Sequence, residues 1–288
     1  MKTNCWILGG AKGTVGKALF KLSRDVPNWN FHFLSRDDFH LGVSEEYPDF
    51  SPGDAVIDLI PGDFPADSVG MTDDEYHQRF TEPHAQLLKY LANFKLGRLI
   101  YFSSGGTVYG LNHDRPIWKE TDSVQPISAY GQSKVLLETE VAHSPEHVIF
   151  RVGNIFDTDA LVLRPKGVCN KFLRMVARDE ELTIFGSLEN SKEYISNEDV
   201  ARAILLALNS KVTGIFNLGT GVPFSLDKMI ASIESALEKK AKVNVTAANA
   251  NDVSWFCLDV SKARDQLGFK PQDDLFQWIA SQKGKDLT

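Results

Sequence analysis

Short apolar runs bounded by glycine, proline or polar clusters alternate along this chain with longer stretches of helical period. That alternation predicts parallel strands joined by helices. Asn4-Cys5-Trp6-Ile7-Leu8 reads as a buried strand. Gly9-Gly10-Ala11-Lys12-Gly13-Thr14-Val15-Gly16 follows at once and leads into the helical spacing of Val15, Leu19, Phe20 and Leu22. Further strands are predicted over 30–34, 54–61, 99–102, 147–151 and 214–218, and helices over 73–93, 133–142, 197–208 and 226–236. Each strand is followed by loop and helical patterns, as parallel crossovers require. The predicted class is α/β, a doubly wound parallel sheet with a smaller, discontinuous second domain. The sheet domain is expected from 1–155 and 191–220, and substrate-capping segments from 156–190 and 221–288. The sequence has no internal repeat and no low-complexity segment.

Composition narrows the classes. With 288 residues and 43% hydrophobic content the chain can bury a sizeable core, as one large domain or two small ones. Net charge is −7 with no basic block, which gives nucleic acid nothing to hold. The three cysteines, Cys5, Cys169 and Cys257, are far apart and form no Cys-x-x-Cys pattern, so neither a disulfide framework nor a structural zinc is indicated. His143 and His147 are four apart, but Pro145 between them argues against one helical face presenting both to a metal, and none is expected. Met1-Lys2-Thr3 runs directly into the first strand, leaving no room for a signal peptide, and no apolar stretch approaches the ~20 residues of a membrane span. A reducing cytoplasm is the expected compartment.

Two motifs carry chemistry. In Tyr130-Gly131-Gln132-Ser133-Lys134 a phenol and an ammonium stand four apart, so on a helix they share a face about 6 Å apart along the axis. A neighbouring cation lowers a phenol's pKa by favouring phenolate, which would equip Tyr130 for proton transfer. The same spacing also arises by chance on helices. The turn Gly10-x-x-Gly13-x-x-Gly16 between strand and helix allows unusual φ values, close approach to a pyrophosphate and tight helix–strand packing, although a plain tight turn has the same shape. A helix N-terminus behind such a turn offers free N–H groups to phosphates. In open sheets ligands bind beyond the carboxyl ends of the strands, where the glycine turn, Arg36, Ile60, Thr107 and Asn154 all fall.

Together these features, with Phe102-Ser103-Ser104-Gly105-Gly106-Thr107-Val108-Tyr109-Gly110, resemble the extended short-chain dehydrogenase/reductase family of nucleotide-sugar epimerases, dehydratases and reductases, from about residue 4 to about residue 271. The resemblance implies a Rossmann sheet, with Tyr130 and Lys134 in the active-site Tyr and Lys positions. Gly105 stands where sugar epimerases most often carry the catalytic Ser, so Thr107 is the first choice for the active-site hydroxyl and Ser104 the second. The implied cofactor contacts are Gly10, Lys12, Gly13, Thr14, Val15, Gly16, Ser35, Arg36, Leu59, Ile60, Pro61, Ser103 and Gly153, together with Tyr130 and Lys134. For substrate they are Ser104, Thr107, Asn154, Phe185 and Lys192. Lys192-Glu193-Tyr194-Ile195 stands where relatives carry Arg-Asp-Tyr-Ile, which keeps a charge for a diphosphate but loses the bidentate fork. A second gripping Arg, expected near 249–253, is absent; Arg164, Lys166, Lys171 and Arg174 are the candidate substitutes.

An acid at the end of the second strand would bond the ribose 2′-OH of NAD, whereas an Arg accommodates a 2′-phosphate. Ser35-Arg36 occupies that place, and Lys12 adds a cation, so NADP(H) is expected. Asp37 and Asp38 leave NAD as the alternative. Three functions follow from the resemblance: a reductase acting on a keto group of a nucleotide-linked sugar, an epimerase that keeps its cofactor, and a dinucleotide sensor without turnover. A dehydratase fits less well, because Val108 rather than an acidic pair follows Thr107. Relatives often dimerise through the helix carrying the Tyr-Lys pair and the one before it, so a homodimer is an assembly the resemblance allows.

Overall fold

The computed structural model describes residues 2–35, 37–60, 71–111, 114, 116–159, 167–248 and 253–287. Arg36 and Pro61, two of the expected cofactor contacts, lie outside the described residues, as do Arg164 and Lys166.

The apolar runs pair into a six-stranded parallel sheet. Its strands are β1 (Thr3–Leu8), β2 (Trp29–Phe33), β3 (Ala55–Asp58), β4 (Arg98–Ser104), β5 (His147–Val152) and β9 (Gly214–Leu218), in the order β2-β1-β3-β4-β5-β9. Burial on both faces explains why these strands read as continuous rather than alternating apolar runs. On one face α1 (Thr14–Ser23), α7 (Asn197–Leu208) and α9 (Ser261–Leu267) pack through Leu19, Ala201, Ile204 and Leu267. On the other, α3 (Glu82–Leu91) and α5 (Ala129–Val141) pack through Leu87, Leu88, Leu91, Leu137 and Val141. The chain reverses direction across the sheet between β1 and β3, and ligands of such sheets bind at that switch point.

The helix expected over 73–93 is broken into three pieces. A capping box of Thr72 and Glu75 starts α2 (Asp73–Tyr76), a π-helical turn spans His77–Thr81, and α3 begins with Pro83 in its first turn. Proline has no N–H to give the preceding turn, and the ladder widens there instead. At Gly105 the polypeptide turns from β4 into the short α4 (Gly105–Val108).

Beyond Val152 the chain passes through Gly153 into β6 (Asn154–Phe156), which joins a second sheet. There β8 (Ser191–Ser196) pairs with β6, β10 (Pro223–Ser225) and β12 (Trp255–Phe256). The expected boundary placed 191–196 with the large sheet; in the structure that segment belongs to the second one. A third, two-stranded sheet pairs β7 (Glu181–Phe185) with β11 (Lys242–Thr246). Helices α6 (Val168–Ala177), α8 (Leu226–Leu237) and α10 (Leu275–Ala280) close a separate core around Phe156, Leu173, Tyr194, Ile233 and Ile279.

The β1–α1 turn is the tightest contact near the switch point. A Cβ on Gly16 would lie 1.8 Å from the Gly10 carbonyl oxygen, and one on Gly10 would lie 2.5 Å from Ile7 Cγ2. A Cβ on Gly13 meets only the Gly10 oxygen, at 3.6 Å. Gly16→Ala is therefore expected to cost about 2 kcal/mol or more of stability, read from the urea midpoint, and Gly13→Ala under about 1 kcal/mol.

Candidate active site at the strand ends

The glycine turn has the form of a phosphate cradle. Gly9 adopts φ +71°, and a Cβ there would lie 2.9 Å from Ile60 Cα, so the turn rests directly on the end of β3. Gly13 precedes α1 in extended conformation, exposed and without a side-chain cap, and the first turn of α1 carries no acidic residue. The leading N–H groups of α1, without a side-chain cap among the described residues, are thus open to an anion. These features fit the pyrophosphate of a dinucleotide. Of the other expected contacts, Val15 packs into the core, Leu59 and Ile60 continue from β3, and the Thr14 hydroxyl is bonded to Asp157.

At the end of β2 the charges are already paired. Lys12 Nζ lies 2.5 Å from Asp37 Oδ2, with both side chains exposed. Asp38 accepts hydrogen bonds from the Ser35 backbone N–H and hydroxyl, which hold its carboxyl below the usual carboxylate range. The sequence reading counted Lys12 as a free cation for a 2′-phosphate; the structure gives it an anionic partner.

Tyr130 and Lys134 come together as the spacing predicted. Ser128 caps α5 by accepting from the Gly131 N–H, so the helix starts before the predicted residue 133 and carries Tyr130 in its first turn. The Tyr130 hydroxyl is hydrogen-bonded to the Ser104 side chain at the end of β4. Thr107, the first choice for this role, instead donates to the Ser104 carbonyl at 3.5 Å. Gly105 has no room for a side chain, since a Cβ would lie 3.0 Å from both Leu258 and Phe256.

One expectation changes sign. Burial pushes the Tyr130 phenol up to about 12, with only the Ser104 hydrogen bond pulling it down. The Lys134 ammonium donates to the Phe102 carbonyl at 2.9 Å and lies over the rings of Tyr101 and Tyr130, 4.9 and 5.7 Å from their centroids. The Tyr130 phenol is thus protonated at neutral pH. Burial also brings Lys134 down to about 8, against the opposing pull of Asp58 and Glu138.

Behind this pair lies a buried network that periodicity did not reveal. Glu138 takes two hydrogen bonds from Arg151, at 3.0 and 2.7 Å, and one from the Ser103 hydroxyl at 2.5 Å. Ser103, expected to face the cofactor, therefore points into the sheet–helix interface. Arg151 also donates to the Tyr109 hydroxyl, which donates to Asn217 Oδ1 at 2.7 Å. Asn217 then donates to the Trp118 carbonyl, tying the loop before the Tyr-Lys helix to the sheet.

The expected substrate residues are more dispersed. Asn154 donates its side-chain amide to the Glu193 carbonyl at 3.0 Å, pinning β6 to β8. Phe185 is 46% exposed at the end of β7, available as a flat apolar surface, and Lys192 sits half-buried in β8. Glu193, which sequence reasoning passed over, is fully buried between the ends of β5 and β9. A Cβ at Gly219 would lie 2.3 Å from its Oε1 and one at Gly153 3.0 Å, which accounts for both glycines. Its Oε2 accepts the Gly221 N–H at 2.9 Å, while Oε1 has no hydrogen-bond partner among the described residues.

A model of the NAD dependent epimerase/dehydratase family matches residues 6–219. The dTDP-4-dehydro-6-deoxyglucose reductase of Escherichia coli is 28% identical over 298 residues, spanning 94% of this chain and 93% of that one. A UDP-glucose 4-epimerase of Streptococcus mutans is 29% identical over 276 residues, 86% of this chain and 80% of its own. The UDP-glucuronic acid 4-epimerase of Bacillus cereus, solved with UDP-glucuronic acid and NAD, superposes with a TM-score of 0.83 at 21% identity over 99% of both chains, and so shares the fold. No helix among the described residues is long and apolar enough to cross a membrane.

Burial raises the Glu193 carboxyl from 4.5 to about 7. Between those values the folded state holds a proton that the unfolded chain has released, so stability falls as pH rises through that window. Glu193→Gln is expected to flatten this fall in urea denaturation series taken across the window; an unchanged slope would place the titration elsewhere.

Proposed function

We propose that this chain, which belongs to the NAD dependent epimerase/dehydratase family, is a nicotinamide-dependent enzyme that reduces a keto group on a nucleotide-linked sugar. The observation that carries this reading is the Ser104–Tyr130–Lys134 arrangement, with a phenol protonated at neutral pH. The match to a named reductase over nearly the whole of both chains supports it. Gly10, Gly13 and the leading N–H groups of α1 would hold the phosphates of a dinucleotide, with the end of β3 at Leu59 and Ile60 bordering it, and the bound cofactor would supply the hydride.

Tyr130 donates its proton to the substrate carbonyl oxygen as that oxygen gains charge. Ser104, bonded to the phenol, orients that proton and offers a second polar contact to the reacting oxygen, with Thr107 behind it. Lys134 lies over the Tyr130 ring and stabilises the phenolate left after transfer. Half-buried Lys192 and exposed Phe185 supply the charge and the flat surface for the nucleotide part. We place the dinucleotide domain at 1–155 and 191–220 less the β8 segment, and the capping segments in the remainder.

A second reading, an epimerase that retains NAD, is favoured by the Lys12–Asp37 pair. The expectation of NADP(H) rested on Lys12 and Arg36, and Lys12 is charge-compensated here. Mass spectrometry of small molecules released on denaturation separates the two readings, since stoichiometric NAD means a retained, recycled cofactor.

Tyr130→Phe is expected to lower kcat for a 4-keto nucleotide sugar by about 10²–10⁴-fold with dinucleotide affinity unchanged, followed by loss of reduced-nicotinamide absorbance. Equal turnover in the variant would sink the mechanism. Asp37→Asn frees Lys12 and is expected to raise the NADPH-to-NADH affinity ratio by about tenfold, measured by calorimetry.

A further inference from the structure

On the α3 side of the sheet, beneath the Tyr-Lys pair, sits a second pair of titratable groups that the reaction above does not use. Asp58, at the end of β3, is 1% exposed, and His84, on α3, is 3% exposed. Their side chains meet at 2.5 Å, His84 Nε2 to Asp58 Oδ2, while Asp58 Oδ1 accepts the Ile60 N–H at 3.0 Å. Asp58 is the strand neighbour of Tyr101. The Tyr101 ring takes the Lys134 ammonium over its face at 4.9 Å and the His84 ring edge-on at 6.0 Å, and its own hydroxyl has no partner among the described residues.

We infer that Asp58 and His84 are positioning residues that keep the buried Lys134 ammonium charged, with His84 acting as a neutral donor that fixes the Asp58 carboxylate without cancelling it. The inference rests on the reading of Lys134 as part of the proton-transferring group. Its logic is a charge balance. The charges acting on Lys134 are Asp58 from β3 and Glu138 from α5, with the rings of Tyr101 and Tyr130 over the ammonium; behind them His84 from α3 meets Asp58, Arg151 from β5 meets Glu138, and Tyr76 from α2 acts on Tyr101. Glu138 is held bidentately by Arg151, a permanent cation, so its field at Lys134 is largely offset. Among the described residues Asp58 is met by the Ile60 N–H and the His84 ring and by no guanidinium, which leaves its negative charge for Lys134. Removing that charge would leave the ammonium supported by one carbonyl, two ring faces and the guanidinium-paired Glu138.

The test uses the full chain without added ligand, with isotope-labelled lysine and histidine, and reads the Lys134 titration by NMR. The Lys134 signal is assigned by its loss in Lys134→Met. The wild type is expected to titrate near 8. Asp58→Asn is expected to move the midpoint down by about one unit. His84→Gln, which keeps a neutral N–H donor, leaves it in place, and the nitrogen shifts of His84 in the wild type report the neutral Nε2–H tautomer at neutral pH. An unmoved midpoint in Asp58→Asn overturns the inference, as does an imidazolium at His84; the histidine measurement needs no variant and decides even if Asp58→Asn fails to fold. In turnover, Asp58→Asn lowers kcat rather than raising KM and moves the alkaline limb of the pH profile to lower pH, and His84→Gln restores neither change because it causes none. Absence of turnover with every nucleotide sugar, beside the expected titration, counts against the proposed reaction alone.

Discussion

Burying one ammonium sets the terms for the centre of this molecule. Lys134 is 5% exposed between α5 and the sheet, where an unpaired charge would cost several kcal/mol. The surroundings are arranged around that cost. The Phe102 carbonyl at the end of β4 turns toward the ammonium, the rings of Tyr101 and Tyr130 present their faces, and carboxylates approach from β3 and from the next turn of α5. The compensation is incomplete, since burial still lowers Lys134 to about 8. A cation held on such terms is fixed in place by many partners and remains responsive to a new negative charge, which is the condition a phenolate forming at Tyr130 would supply.

Legibility in the sequence tracked how local each signal was. The central strands and α7 were readable because buried parallel strands are short apolar runs and a surface helix has a period. The glycine turn was readable because backbone contact requires glycine, as the 1.8 Å approach at Gly16 shows. Helix α5 was harder to place. Its sheet-facing stripe is Tyr130, Lys134 and Glu138 as much as Leu137 and Val141, so apolar periodicity fades where the chemistry is. The start of α5 is set by Ser128, a cap rather than a core residue, which a reading of apolar period over 133–142 does not register.

What the sequence hid was pairing at a distance. Asp58 and His84 stand on different elements, as do Glu138 and Arg151, and nothing in either segment announces its partner. For the same reason Lys12 and Asp37 were read as separate votes for two cofactors, whereas in the structure they are one ion pair. Ser104 displaced Thr107 as the partner of Tyr130 because strand β4 aims Ser104 at the phenol while the turn of α4 brings Thr107 back onto the backbone. Residue type told which groups could act; only the fold could tell which of them are already occupied.

The buried carboxylates divide into two kinds, and the division matches their places. Glu138 is met by a guanidinium, which makes it a neutral brace joining α5, β4 and β5. Asp58 and Glu193 have no guanidinium partner among the described residues: the His84 ring and a backbone N–H meet the first, loop N–H groups the second. Neutral donors orient a carboxylate while leaving its charge free to act, at the expense of stability that a cation would have restored. Asp58 lies where that charge supports Lys134. Glu193 lies where the large sheet hands the chain to the second one, locked between Gly153 and Gly219, and its burial is strong enough to raise its carboxyl to about 7. Asp58 stands at the carboxyl end of β3, the edge of the large sheet where ligands of this architecture bind, whereas Glu193 lies within β8 and keeps its proton up to about 7.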